Sequence, residues 1–266
     1  NTMGVDTIHD FMKPMGFGQI TGLDLPGELR GTLPSTEWKK KTYKKPEQQR
    51  WYGGETISLG IGQGYNTFTM LQLANATAIL ANGGTFHKPR LVMATQDPIQ
   101  RVDRAVKSDA PVNLGYKPEH VEVIKQGLIG VAKDGTSARV FAGTPYQSAG
   151  KTGTAQAVTI GQKDKYNASK LEEHQRDHAL YMAFAPADNP QIALAIVVEN
   201  AGFGAAQAAP IARRVFDYWL LGDYPSQEDI EASQKGLTST PIGTRRRKDD
   251  IQLVPSEGVV GGGKNR

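Results

Sequence analysis

The sequence predicts an α+β fold in which helices pack against a mostly antiparallel sheet. Helical periodicity dominates the first half of the chain, with patterns over residues 5–12, 67–81 and from Pro118 onward. From Ser148 the pattern becomes strand-like, with candidates at residues 148–158, 179–185 and 191–199. The last two flank Pro186-Ala187-Asp188-Asn189-Pro190, a turn signal for an antiparallel hairpin. A helix over residues 206–221 then offers Ile211, Val215, Phe216 and Trp219 to pack on that sheet.

Composition narrows the function. The 266 residues carry a formal charge of +4, too slight a balance to indicate a general nucleic-acid surface. With no cysteine, disulfides, thiolate metal sites and a cysteine nucleophile are excluded. No apolar run approaches the roughly 20 residues of a membrane-spanning helix, and residues 1–10 lack the order of a signal peptide. The chain starts without an initiator methionine and inside a helical pattern, so it is expected to be a piece of a longer polypeptide, truncated at its N-terminus.

In the first helix Val5, Ile8, Phe11 and Met12 recur at helical spacing until Pro14, Gly16 and Gly18 close the pattern. Residues 21–54 lack sustained periodicity and read as irregular structure broken by turns. Residues 55–59 read as a short strand, followed by Gly60, Gly62 and Gly64 and then the helix of residues 67–81, which carries Met70, Leu71, Leu73 and Ile79. Asn82-Gly83-Gly84 ends that helix, and residues 87–94 read as an edge strand because of Pro89. Pro118 starts the next helix, with a stripe of Val121, Ile124, Leu128 and Val131, and Asp134-Gly135 terminates it. A helical turn is expected over residues 136–141. After Asp223 the hydrophobic pattern fades, so residues 224–266 read as a largely disordered polar tail in which Arg245, Arg246, Arg247 and Lys248 form a solvated basic run.

Several patterns approach a functional motif and fall short. The strand, glycine loop and helix of residues 55–81 follow the order of a dinucleotide site, but the spacing is G-x-G-x-G and no acidic residue follows to hold a ribose. Lys39, Lys40, Lys41, Lys44, Lys45 and Arg50 mingle with Trp38, Tyr43, Trp51 and Tyr52, a mixture that could stack and bind single strands. No RNA-binding motif accompanies it, and a solvated basic loop with aromatic anchors is expected. His174 to His178 approaches the H-x-x-E-H zinc pattern with Asp177 in place of glutamate and no third ligand, so no metal or cofactor is expected. The one S-x-x-K spelling, Ser148 to Lys151, lies on a predicted strand, where the two side chains face opposite sides and cannot act as nucleophile and base.

The remaining element is Lys151-Thr152-Gly153, embedded in Gly150-Lys-Thr-Gly-Thr-Ala-Gln156 and followed by a hairpin and a packing helix. A cation, two hydroxyls and a glycine on a strand suit a site where a carboxylate is held and an extended peptide lies along a sheet edge. K-T-G is an element of β-lactamases and penicillin-binding proteins. In this context the sequence resembles the transpeptidase domain of class B penicillin-binding proteins. Gly4-Val5-Asp6, Gly16-Phe17-Gly18, Thr21 to Leu25, Ser58 to Tyr65 and Arg176-Asp177-His178 are similar to the elongation-specific members. The resemblance runs from Asn1 to about Asp223, which delimits the expected C-terminal part of a transpeptidase domain.

The resemblance implies a penicillin-binding-protein/β-lactamase-like fold and a serine acyl-enzyme that cross-links peptidoglycan stem peptides and is acylated by β-lactams. It assigns Lys151 a charge near the substrate carboxylate, Thr152 and Thr154 hydroxyls that donate to that carboxylate, Gly153 close backbone approach, and the Thr154 amide a share in an oxyanion hole. It also implies a periplasmic setting, an upstream inner-membrane anchor and a SEDS-family glycan polymerase as partner. No helical S-x-x-K, and no serine followed two residues on by Asn or Asp, occurs in the chain. The chain alone is therefore expected to be inactive. A catalytically dead module binding cell-wall peptides or a partner, and a β-lactamase or β-lactam sensor, are the alternatives.

Overall fold

The computed structural model describes residues 3–157, 171–237 and 240–247. Helix α1 (Val5–Met12) runs through a 3-10 turn into a long irregular stretch holding α2 (Thr36–Thr42) and α3 (Pro46–Gln49), and then into α4 (Gly53–Gly60) and α5 (Met70–Ala81). Thr69 caps α5: its hydroxyl accepts from the Gln72 N–H at 3.2 Å, while the Gln72 carboxamide oxygen accepts from the Thr69 N–H at 3.0 Å. Gln72 is fully buried, and its Nε2 donates to the carbonyls of Gln19 (2.6 Å) and Arg30 (2.8 Å). These bonds pin the irregular N-terminal stretch to α5.

Two expectations for this half fail. The strand expected over residues 55–59 is the helix α4, whose first turn is stabilised by the Tyr52 N–H donating to the Glu55 carboxylate at 2.8 Å. The edge strand expected over residues 87–94 is absent. In its place the short strands β1 (Thr85–Phe86), β2 (Ala94–Gln96), β3 (Asp103–Ala105) and β4 (Val112–Asn113) pair as β1–β4 and β2–β3. The Leu91 and Val92 N–H groups donate to the Asp24 carboxylate at 2.7 and 2.8 Å, so a side chain takes the donors a ladder would use.

Helix α6 (Pro118–Lys133) begins at its predicted proline and is followed by α7 (Ala138–Phe141). Val121 and Leu128 are buried as predicted, whereas Ile124 is 43% exposed and Ala132 fills the core position. Strands β5 (Ala149–Ala155), β6 (His178–Ala185) and β7 (Ile192–Val198) form one antiparallel sheet in the order β5-β6-β7, as the hairpin signal predicts.

Helices α7 and α8 (Gly204–Leu221) pack on one face of this sheet, against Ala179, Tyr181, Ala183 and Ala185. Ala81 of α5 and Leu128 of α6 pack on the other, against Ala149 and Phe184. Burial on both faces explains the near-continuous apolar run of β6. On α8, Phe216 is buried as expected, but Ile211, Val215 and Trp219 are exposed, and Ala208, Ala209 and Ala212 face the sheet. Small residues let the helix approach closely: a Cβ at Gly204 would lie 2.1 Å from the Leu180 carbonyl oxygen.

The polar stretch after Asp223 is folded where it is described, contrary to expectation. Strand β8 (Asp223–Tyr224) pairs with β9 (Arg246–Arg247), and α9 (Gln227–Gln234) lies between them. Buried Asp229 holds Arg214 at 2.6 Å, and Asp223 binds Arg245 at 2.9 Å and Arg247 at 2.5 Å. Arg245 also lies 3.7 Å from Asp217, which pairs with buried Arg213 at 2.9 Å. In the described part of the basic run, Arg245 and Arg247 therefore pair with carboxylates, and Arg246 Nε donates to the Pro225 carbonyl at 2.8 Å. Those carboxylates come from α8 and β8, which composition of the tail cannot reveal. Lys248 and the residues after it lie outside the described residues.

Candidate active site

Strand β5 carries Lys151, Thr152, Gly153 and Thr154, and among the described residues it pairs only with β6. No other described strand pairs with its second edge. The register sets Lys151 opposite Met182, Thr152 opposite Tyr181, Gly153 opposite Leu180 and Thr154 opposite Ala179. Side chains alternate, so Thr152 and Thr154 share the face of Tyr181 while Lys151 projects to the opposite face. Lys151 is exposed, and its Nζ donates to the Thr152 carbonyl at 2.8 Å.

Two glycines shape this strand. A Cβ at Gly150 would lie 2.6 Å from the Tyr181 hydroxyl and 2.8 Å from the Met182 carbonyl oxygen, so only glycine fits there. Gly153 abuts the start of α8: the would-be Cβ of Gly204 lies 2.7 Å from the Gly153 carbonyl oxygen.

The turn between α6 and α7 supplies two residues that sequence reasoning missed. Thr136 Oγ1 lies 3.0 Å from Thr152 Oγ1, and Ser137 Oγ lies 3.0 Å from the Tyr181 hydroxyl. Burial pushes the Tyr181 phenol up to about 12, so it stays protonated at neutral pH. The only sequence signal was Asp134-Gly135, which reads as a helix stop and says nothing of the strand it faces.

The other candidates do not join this cluster. Ser148 is 2% exposed just before β5, on the opposite face from exposed Lys151. His178 Nδ1 accepts from the Asn200 N–H at 3.0 Å, and His174 lies beside Glu172 on the surface. Among the described residues no three His, Asp or Glu side chains converge as a metal site would require. Gly60 ends the helix α4, and Gly62 and Gly64 follow it, so the strand-loop-helix order of a dinucleotide site is missing. Within the basic and aromatic cluster Lys39 is 3% exposed rather than solvated. Its Nζ pairs with Glu55, donates to the Arg50 carbonyl at 2.8 Å, and sits 5.3–5.5 Å from the ring centroids of Trp51, Tyr52 and Tyr65. Burial by itself raises the Glu55 pKa; Lys39 and the Tyr52 and Tyr65 donors outweigh it and hold the carboxyl below its ordinary value.

The strand that bears this cation and these hydroxyls is thus part of a sheet packed between two helical layers. The family model of the penicillin binding protein transpeptidase domain matches residues 1–217. The chain belongs to this family. It is 41% identical over 242 residues to the peptidoglycan D,D-transpeptidase MrdA of Escherichia coli, covering 89% of this chain and 36% of that protein. The chain is also similar to the crystal structure of Pseudomonas aeruginosa PBP2 in complex with WCK 5153. That likeness has 39% identity and a TM-score of 0.64, over 82% of this chain and 43% of that one. A complex of PBP2 and MreC from Helicobacter pylori is similar at 27% identity and a TM-score of 0.65, over 83% of this chain and 37% of that one. The chain thus spans about a third of the length of the curated relatives it matches. The α+β fold with an antiparallel sheet is that of this family.

Proposed function

We propose that this chain is the K-T-G-bearing part of an elongation-type peptidoglycan D,D-transpeptidase. The observation that carries the reading is Lys151-Thr152-Gly153 on the open edge of β5 in a member of this family. A serine outside this sequence attacks the penultimate carbonyl of a stem peptide ending in D-Ala-D-Ala. The C–N bond breaks and D-alanine leaves carrying the serine's proton; the amine of a neighbouring stem peptide then attacks the ester carbonyl, the ester C–O bond breaks, and the amine's proton returns to the serine oxygen as the new amide forms. β-Lactams acylate the same serine.

In this reading the stem peptide lies along β5, and the Thr152 and Thr154 hydroxyls donate to its carboxylate, with Lys151 supplying positive charge. Gly153 leaves room for the ligand at the backbone. The Thr154 amide forms half of the oxyanion hole, and such a donor contributes roughly 3 kcal/mol to transition-state stabilisation. Family likeness supports the periplasmic face of the inner membrane as the location, with the anchor outside this chain. Among the described residues no helix is long and apolar enough to cross a membrane. The similar Helicobacter pylori PBP2 is held in a complex with MreC, and for this chain a SEDS-family glycan polymerase is the partner proposed from the family resemblance.

Fluorescent penicillin labelling tests the reading on the protein expressed from its complete coding region. Label on a single serine, located by mass spectrometry, is the expected result. Protein that takes no label on any serine overturns it, and retained binding of stem peptide in that case would mark a binding module instead.

A further inference from the structure

We infer that Thr136 is a positioning residue for the K-T-G strand, orienting the Thr152 hydroxyl toward the substrate carboxylate. The inference rests on the reading of Thr152 as a carboxylate donor.

The turn after α6 bonds both members of one cross-strand pair. Thr152 and Tyr181 are register partners, and the adjacent residues Thr136 and Ser137 meet them at 3.0 Å each. Ser137 is fully buried, and its hydroxyl donates to the Val131 carbonyl at 3.1 Å. A hydroxyl has one proton, so Ser137 accepts from the Tyr181 hydroxyl. The turn is therefore anchored on a protonated, buried tyrosine in the middle of the sheet. Gly135 makes the anchor possible, because a Cβ there would lie 2.8 Å from the Val131 Cα.

The anchored turn holds Thr136 against Thr152. When Thr152 gives its single proton to a carboxylate, its lone pairs can only accept, and Thr136 Oγ1 is a donor within reach. The chain of donation runs from Thr136 to Thr152 to the ligand, each bond polarising the next. Thr136 is exposed, so in the free protein water competes for this bond and folding gains little from it. Its effect appears when a carboxylate occupies the edge.

The test uses the protein from its complete coding region in four forms: wild type, Thr136→Val, Thr136→Ser and Thr136→Val in a Thr152→Val background. Concentration-dependent acylation by a fluorescent penicillin separates the dissociation constant from the acylation rate constant at saturation. Thr136→Val is expected to raise the dissociation constant roughly two- to tenfold, the range of one hydrogen bond, with an unchanged melting temperature. Thr136→Ser is expected to restore it, and Thr136→Val to add nothing once Thr152 is Val. Wild-type kinetics in Thr136→Val, or a full additional loss in the Thr152→Val background, overturns the inference while the transpeptidase reading stands. A loss that tracks a lowered melting temperature and is not restored by serine also overturns it. Wild type that takes no label overturns both.

Discussion

Lys151 is exposed on β5, and its Nζ donates to the neighbouring Thr152 carbonyl, so the core does not depend on its side chain. Lys151→Ala is expected to leave stability within about 0.5 kcal/mol of wild type. Acylation by penicillin should fall about a hundredfold or more, as when a transition-state contact is lost. Near-normal acylation in the variant would remove Lys151 from the site. Gly150 shows the opposite balance. Its missing Cβ makes room for the Tyr181 hydroxyl and the Met182 carbonyl, and backbone cannot yield as a flexible side chain can. Gly150→Ala is therefore expected to cost about 1–3 kcal/mol in denaturant unfolding, the range of an overpacked core. The K-T-G triplet was legible because it is contiguous in sequence and is followed by a hairpin and a packing helix. Thr136 was not, since its partner lies 16 residues away and only the folded turn brings the hydroxyls together.

Among the elements, α4 and the Lys39 latch diverge most from what local pattern implies. Glu55 reads as a strand residue in a window of alternating apolar positions, yet it caps a helix and holds a buried lysine framed by three rings. The fold holds the Glu55 carboxyl below its ordinary value of 4.5. A carboxyl so depressed contributes its stability above the unfolded value and loses it as pH falls through the folded one. Tryptophan emission from Trp38 and Trp51 is thus expected to change as pH falls below about 4.5, and Glu55→Gln is expected to give a flat profile across the same range. An identical acid transition in both proteins would show that the latch is not its cause. By contrast β5, β6, β7, α5, α6 and α8 were legible because each is long, periodic and bounded by turn or cap residues.

At the scale of the molecule, buried aspartates tie the C-terminal stretch to the sheet layer. Asp217 accepts from Tyr146 at 2.7 Å and holds Arg213, which is 3% exposed. Removing that carboxylate leaves a buried guanidinium without its counter-charge, and Asp217→Ala is expected to cost about 3 kcal/mol or more in chemical denaturation. A loss no larger than that of an exposed aspartate would mean that the network is weakly coupled. In the proposed reading the site is also divided at this scale. The 266-residue chain expressed alone is expected to take no covalent penicillin label, because no residue of β5 combines a nucleophile with a neighbouring base. A labelled serine in the isolated chain would overturn that expectation.

Residue periodicity, turn chemistry and the K-T-G context by themselves determined the α+β class, the antiparallel order of the sheet and the strand proposed to carry the site. Those features depend on neighbours close in sequence, where spacing directly sets which side chains share a face. The burial of Lys39, the folding of the stretch after Asp223, the small-residue face of α8 and the contact of Thr136 with Thr152 were decided only by tertiary structure. In each case a charge, a hydroxyl or a missing Cβ takes its meaning from a partner distant in the chain. The composition of a local window carries no trace of where that partner lies.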